Sequence, residues 1–205
     1  MLMRGGNAID AALATAFALA VHESAASHLG EQGNMLIHLA DRQKTTALDF
    51  NSCAPGGAHA AMYEWTPGPT HGGYRFVTKG DLNTTGVLAV AIPGNVCGWV
   101  TAQRAWGSMP LSDVVAPAVL DARPGSLATP RTVAFTEENL SRLARQRETA
   151  DVFLRTDGSG KRQGELLQLR KLADTIELIS REGYEPFNSS KIAAAIVEHL
   201  DRSPR

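Results

Sequence analysis

The sequence predicts an α+β fold whose C-terminal half is rich in helices. Three features indicate it: an alanine-rich apolar segment near the N-terminus, two short strand patterns that follow it, and apolar residues at three- and four-residue spacings beyond residue 110. The chain has 205 residues, 43% of them hydrophobic and 20% charged, which is typical of a globular protein with a substantial core. This length allows one domain or two small ones.

The charge balance narrows the range of partners. The chain carries 20 basic and 21 acidic side chains, a net charge of -1, whereas binding to nucleic acid or to an anionic membrane calls for a basic excess. Neither is therefore expected as a partner. The two cysteines, Cys53 and Cys97, could form one disulfide at most and are too few for a four-cysteine metal site, so the redox compartment stays open.

The first predicted element is a buried helix over Ala8–Val21. Asn7 can cap it, Asp10 lies in the first turn where a carboxylate suits the helix dipole, and apolar residues occur on every face. The basic and apolar start also resembles a secretory signal peptide, but Asp10 interrupts the apolar run and favours the helix. The segment is too short and too interrupted to cross a bilayer, so no membrane span is predicted.

Strands are predicted next. Met35–Leu39 and Thr45–Phe50 form a hairpin around the polar turn Asp41–Lys44. A region rich in glycine, proline and histidine, Pro55–Gly73, is predicted to be a surface loop. The apolar run Gly86–Ile92 then predicts a strand that is buried on both faces.

The remainder of the chain is predicted to be mostly helical. The expected helices are Asn95–Trp106, Leu111–Ala122, Glu137–Arg147, Glu165–Glu182 and Lys191–Leu200. Gly183 is a suitable stop for the fourth helix, and Ser189–Ser190 can cap the last one. In that last helix the residues expected to face inward are Ile192, Ala195, Ile196 and Leu200.

Common catalytic motifs are missing from the sequence. It contains no GxSxG, GxxxxGK[ST] or HExxH motif, and no GxGxxG after a strand. His22 and His28 are six residues apart and do not share a helix face, which disfavours a metal site. Thr84 or Thr85 could act as a nucleophile only after cleavage just before it, and an ordinary strand start is the favoured interpretation. No catalytic residue, metal ligand or cofactor is therefore predicted in this chain.

Several linked segments, in one order along nearly the whole chain, do carry a signal. They are Gly5–Ala12 (GGNAIDAA), Val21–Glu23 (VHE), Leu29–Gly33 with Met35–Leu36, Ala47–Pro55 (ALDFNSCAP), Ala89–Gly98 (AVAIPGNVCG), Trp106–Ala118 and Gly164–Ala193. Each is weak by itself, but their common order is specific. Together they resemble the N-terminal part of the large subunit in the γ-glutamyltranspeptidase family.

This resemblance implies an N-terminal-nucleophile hydrolase, an αββα sandwich built by two subunits cut from one precursor. The family's nucleophile is a threonine that opens the small subunit in a Thr-Thr-His-like motif, which is not found in this chain. Residues 1–205 are thus expected to be a single incomplete domain, inactive alone, whose partner is the small-subunit portion. The substrate would be a small-molecule amide, with a γ-glutamyl or related acyl group hydrolysed or transferred. The alternative is a non-catalytic scaffold remnant or interaction subunit.

Asn51 is the residue that the resemblance assigns to substrate binding. At this position the family has an arginine, which pairs with the α-carboxylate of the γ-glutamyl group through two charge-assisted hydrogen bonds. An asparagine amide carries no charge, and a hydrogen bond to a charged group contributes about 1.5–3 kcal/mol. The substitution is expected to weaken γ-glutamyl binding by about one to two orders of magnitude. Arg75 or Lys79 could substitute in space, or Asn51 could be a simple turn residue.

The turn before the first strand departs from the family as well. Glu31 and Gln32 occupy positions of family glycines, and Asn34 replaces a phenylalanine. Gly30 and Gly33 remain, so the turn geometry is expected to survive. These departures leave amide substrates other than γ-glutamyl compounds open.

Overall fold

The computed structural model describes residues 1–24, 26–66 and 76–202, and combines helices and strands, as the α+β prediction requires. The strands form two small sheets. Short 3₁₀ turns occur at Leu2–Arg4, Lys79–Asp81 and Val87–Ala89. The strands are β1 Gly33–Leu39, β2 Lys44–Phe50, β3 Ser126–Leu127 and β4 Leu166–Leu167. The helices are α1 Ala8–His22, α2 Asn95–Trp106, α3 Leu111–Ala122, α4 Pro130–Glu138, α5 Leu140–Leu143, α6 Arg147–Phe153, α7 Arg170–Glu182, α8 Glu185–Asn188 and α9 Lys191–Arg202.

Helix α1 begins with the predicted cap. The Asn7 side chain accepts hydrogen bonds from the backbone N–H groups of Ile9 and Asp10, and the Asp10 carboxylate accepts from the Asn7 N–H at 2.8 Å. This reciprocal pair is a capping box, which satisfies donors that the first helical turn leaves without partners. One face of α1 is buried, as expected, through Leu13 and Phe17. The predicted buried helix is confirmed on this side only, because the opposite face is exposed: Ala8, Ala12, Thr15 and Leu19.

Asp10 also ties α1 to the segment that follows α2. Its carboxylate is fully buried and accepts hydrogen bonds from the Ser108 hydroxyl at 2.6 Å, the Ser108 N–H at 3.1 Å and the Met109 N–H at 3.3 Å. Burial by itself would raise the pKa of Asp10, but the hydrogen bonds from Ser108, Asn7 and Met109 outweigh it and lower the pKa below its ordinary value. The ionised carboxylate is therefore an integral part of the folded state.

The main core lies among the long helices. Helix α3 packs against both α1 and α7, and its Val114, Val115 and Ala118 are buried between them. Helix α2 joins this core through Trp99, whose ring meets that of Phe17 edge-on with centroids 5.0 Å apart. Edge-to-face contact is a favoured geometry for aromatic pairs, and it fixes α2 against α1.

The predicted hairpin is confirmed. Strands β1 and β2 are antiparallel in a register that runs from Gly33 opposite Phe50 to Leu39 opposite Lys44. Alternate residues of both strands point to an inner face, where Ile37 is buried, and to an exposed outer face. Phe50 packs on α2 at Gly98, where an added methyl group would lie only 2.6 Å from the Phe50 Cβ. The hairpin is thus fixed to the helices through its inner face.

The strand predicted at Gly86–Ile92 is wrong. Gly86 has a φ of 93°, a 3₁₀ turn follows it, and only Ile92 forms a bridge, to Cys53. Val90 and Ile92 are 41% and 51% exposed, so the run is not buried on both faces either. Apolar composition signals burial but not pairing, and no strand of the described residues runs alongside this segment.

Cys53 and Cys97 are both free thiols, so the disulfide that the sequence left open does not form between them in this structure.

Two helix predictions are wrong in part, one because the segment is divided into shorter helices and one because the helix starts later than predicted. Glu137–Arg147 is not one helix, because α4 ends at Glu138, where Asn139 leaves the helical region with a φ of -123°, and α5 and α6 follow separately. The segment predicted as helix from Glu165 onwards begins as β4, which pairs with β3, and α7 starts only at Arg170. Gly183 ends α7 with a φ of 77°, as predicted.

The last helix and the long loop are confirmed in part. Helix α9 starts at Lys191 and extends two residues past the predicted end at Leu200. Ala195 is exposed rather than turned inward, and the Ser190 hydroxyl donates to the Glu185 carbonyl instead of capping α9. Residues 55–66 contain no regular element, as expected of a loop, whereas the remainder of the predicted loop, 67–73, lies outside the described residues.

Candidate functional site

Asn51 lies immediately after β2 and is exposed at one end of the hairpin. Its side-chain amide donates hydrogen bonds to Asp49 Oδ1 at 2.9 Å and to Asn34 Oδ1 at 3.3 Å, and its backbone N–H donates to Asp49 Oδ1 at 3.0 Å. Asn34 and Asp49 are directly opposite each other in the strand register, on the outer face. The three side chains therefore form one polar cluster, which we call the Asn51 cluster.

The pocket at this end of the hairpin lies on the other face. It has a volume of about 210 Å³ and lies between the hairpin and helices α1 and α2. Its lining residues are Ala16, Leu19, Ser27, Glu31, Gln32, Gly33, Phe50, Asn95 and Trp99. Asn51 is not among them, because it shares the outer face with Asp49 whereas Phe50 points inward. The Asn51 cluster, and not this pocket, is thus the candidate site.

Hydrogen bonds join the turn before β1 to the start of α2. The backbone N–H groups of Gly94 and Asn95 donate to the Glu31 carbonyl at 2.9 and 3.0 Å, and the Asn95 amide donates to the His28 carbonyl at 2.8 Å. Gln32 extends this network, since its Oε1 accepts from the Ser52 N–H at 3.1 Å. Asn95 is buried, and its role in joining the turn to α2 was not predicted from the sequence. The one sequence signal for this role was the Pro-Gly-Asn start of the predicted helix.

The charges around the Asn51 cluster are negative or neutral. Asp49 has no ion-pair partner in the parts of the chain that the structure describes. Lys79, one candidate to replace the family arginine, forms an ion pair with Glu64 at 2.9 Å instead. Arg75, the other candidate, lies outside the described residues. Within those residues, no cation joins the Asn51 cluster.

The other residues considered from the sequence do not converge on this site. Thr84 and Thr85 lie in a turn rather than at a strand start, and their hydroxyls donate to Asp81 of that same turn. His22 bonds to the Ser126 hydroxyl and to Asp121, each at 2.9 Å, and Ser126 is buried and out of reach of a substrate. His28 lies 3.4 Å from Glu31.

The described residues contain no group of three or more histidine, cysteine, aspartate or glutamate side chains arranged to bind a metal ion. None of the described helices combines the length and the apolar character that crossing a membrane requires.

Residues 1–203 match the model of the gamma-glutamyltranspeptidase family. The chain belongs to the gamma-glutamyltranspeptidase family. Among its relatives, the glutathione hydrolase proenzyme of Pseudomonas sp. (strain A14) is 36% identical over 200 residues, covering 98% of this chain and 33% of the relative. The acylase ACY 1 proenzyme of Pseudomonas sp. (strain V22) is 34% identical over 200 residues, covering 98% of this chain and 35% of the relative.

The fold supports this family assignment independently. The crystal structure of Helicobacter pylori gamma-glutamyltranspeptidase matches with a TM-score of 0.87 and 30% identity, covering 98% of this chain and 55% of that one. The chain spans about a third of the length of the curated relatives it matches. The family resemblance found in the sequence is therefore confirmed.

Proposed function

We propose that this chain is the N-terminal part of the large subunit of an enzyme that hydrolyses or transfers an amide-linked acyl group. The observation that carries the proposal is the family match over residues 1–203. The names of the relatives, a glutathione hydrolase proenzyme and an acylase proenzyme, support both the amide chemistry and the processing of a precursor. The nucleophilic threonine would belong to the small-subunit portion.

In this proposal, residues 1–205 are a single incomplete domain that supplies part of an αββα sandwich. Two exposed apolar surfaces support a missing layer. Leu36 on the outer face of the hairpin is 76% exposed, and Leu19 on the open face of α1 is 40% exposed. Side chains of this kind are stabilised by burial against a partner, at about 25 cal/mol per Å² of apolar surface. The small-subunit portion is the partner that would cover them.

The reaction would follow the usual course of an N-terminal nucleophile. The threonine hydroxyl attacks the amide carbonyl carbon and gives its proton to the threonine's own α-amine, which passes a proton to the departing amine as the C–N bond breaks. Water or a second amine then attacks the resulting ester and releases the threonine. Backbone donors of the partner portion would stabilise the oxyanion. The present chain would bind and orient the acyl group through the Asn51 cluster.

The test is to express the full-length gene product and follow both its cleavage and its activity. We expect two fragments on a denaturing gel, the smaller one starting with threonine by N-terminal sequencing, and turnover of acyl anilides. Replacing that threonine with alanine should abolish both cleavage and turnover, because nucleophile and base are lost together. A full-length protein that stays uncut and inactive would instead support the non-catalytic scaffold. Whole-enzyme turnover by residues 1–205 alone would contradict the proposal.

A further inference from the structure

We infer that the acyl group accepted beside the Asn51 cluster carries no carboxylate and ends in a neutral or amine-bearing group. This inference rests on the proposed function, since it names the substrate class of that same site. It follows from two features of the cluster: which of its hydrogen-bonding groups are already used, and the charge of Asp49.

The Asn51 amide has no donor left for a ligand. Its two N–H groups are directed to Asp49 Oδ1 at 2.9 Å and Asn34 Oδ1 at 3.3 Å. No described residue donates to its Oδ1, so the group that Asn51 offers to a ligand is an acceptor. A carboxylate has only acceptors at neutral pH and finds no partner there, whereas an ammonium or an amide N–H does.

The charge at the cluster acts in the same direction. The Asp49 carboxylate is adjacent to Asn51, and no cation of the described residues pairs with it. Within the described residues, a ligand carboxylate would meet a like charge that no guanidinium or ammonium offsets, whereas a ligand ammonium would pair with Asp49. The donor that remains, the Asn34 amide, can give a carboxylate a hydrogen bond but no positive charge, whereas a guanidinium gives two parallel hydrogen bonds and a full charge.

Four p-nitroanilides separate the contributions of the two charged groups of a γ-glutamyl substrate. The γ-glutamyl compound has both, the γ-aminobutyryl compound lacks the carboxylate, the glutaryl compound lacks the amine, and the butyryl compound lacks both. For the processed full-length protein we expect kcat/KM to rise at least about tenfold when the carboxylate is removed, that is, about 1.4 kcal/mol. The rise should occur in both pairs, γ-glutamyl to γ-aminobutyryl and glutaryl to butyryl. A preference for the carboxylate-bearing member of each pair would overturn the inference and leave the proposed function intact.

Variants at position 51 test whether this residue causes the preference for substrates without a carboxylate. Asn51→Arg should shift the ratio of carboxylate-bearing to carboxylate-free turnover by about ten- to a hundredfold towards the carboxylate. Asn51→Gln keeps a neutral amide and should leave the ratio near that of the wild type. Asn188→Arg adds the same charge in α8, away from the hairpin, and is the matched control. Equal ratios for Asn51→Arg and Asn188→Arg would overturn the assignment, whereas a processed protein inactive on all four compounds would overturn the proposed function itself.

Discussion

The buried carboxylate of Asp10 gives the sharpest prediction about stability. Asp10→Asn keeps the shape of the side chain but replaces one acceptor oxygen with an N–H₂ group and removes the charge. With the amide nitrogen in the Oδ2 position, the Asn7 N–H, now 2.8 Å from Oδ2, loses its capping-box acceptor and keeps only the bond to Ser108 Oγ at 3.1 Å. The bonds from Ser108 and Met109 lose their charge assistance as well, and a hydrogen bond to a charged group contributes about 1.5–3 kcal/mol. We expect a loss of about 3 kcal/mol in the free energy of unfolding.

Urea denaturation of the purified protein, followed by circular dichroism, measures this loss. For a chain of this size, about 3 kcal/mol also corresponds to a fall in Tm of roughly 6–12 °C. Asp201→Asn is the matched control, because Asp201 is exposed near the end of α9 and the charge change is the same. A loss at Asp10 no larger than that at Asp201 would refute the reasoning.

The same pair of proteins gives a pH test whose sign follows from the pKa. The folded-state pKa of Asp10 is lowered, so its stabilising contribution is complete above the ordinary value of 3.8 and is lost as pH falls through the folded-state pKa. The difference between wild type and Asp10→Asn should therefore stay constant between about pH 7 and 5 and narrow below about pH 4. A difference that narrows on going from neutral pH to pH 5 would exclude Asp10 as its cause.

Two further substitutions test contacts that join the elements. Gly98→Ala places a methyl group against Phe50 and should cost about 1–3 kcal/mol by urea denaturation, whereas Gly56→Ala, which meets nothing within 4 Å, should change stability by less than about 0.5 kcal/mol. His22→Ala removes the partner of the buried Ser126 hydroxyl and should cost about 1 kcal/mol or more. Adding Ser126→Ala to that variant should recover part of the loss, because a hydroxyl without a partner is then no longer buried. Additive losses would show that the bond contributes nothing.

The elements that the sequence predicted well are those specified by neighbouring residues. Asn7 and Asp10 are three positions apart and form the capping box by themselves, so the start of α1 could be identified without tertiary information. The hairpin needed only alternating residues and a polar turn. Helix α4 shows that such a signal can be overlooked: Thr129 caps it and Pro130 occupies its first position, a favourable pair for a helix start that the sequence analysis did not use.

The predictions that failed depend on partners distant in sequence. An apolar run such as Gly86–Ile92 becomes a strand only if another strand is positioned to pair with it. Strands β3 and β4 are two residues long and join segments 40 positions apart, with no period to detect. The candidate site behaves in the same way. Its position after β2 could be predicted, but the use of the Asn51 donors depends on Asn34 across the hairpin.

Alternate side chains of the hairpin point to opposite faces, so adjacent residues have different roles. Phe50 points to the helices and fixes the strand end, whereas Asn51 is exposed and its side chain bonds, among the residues that the structure describes, to side chains of the hairpin itself. Substitutions of exposed side chains change stability by less than about 0.5 kcal/mol in most proteins. Selection can therefore replace residue 51 in a single step without endangering the scaffold, so that substrate preference can diverge among descendants of one ancestral gene while the architecture is inherited unchanged.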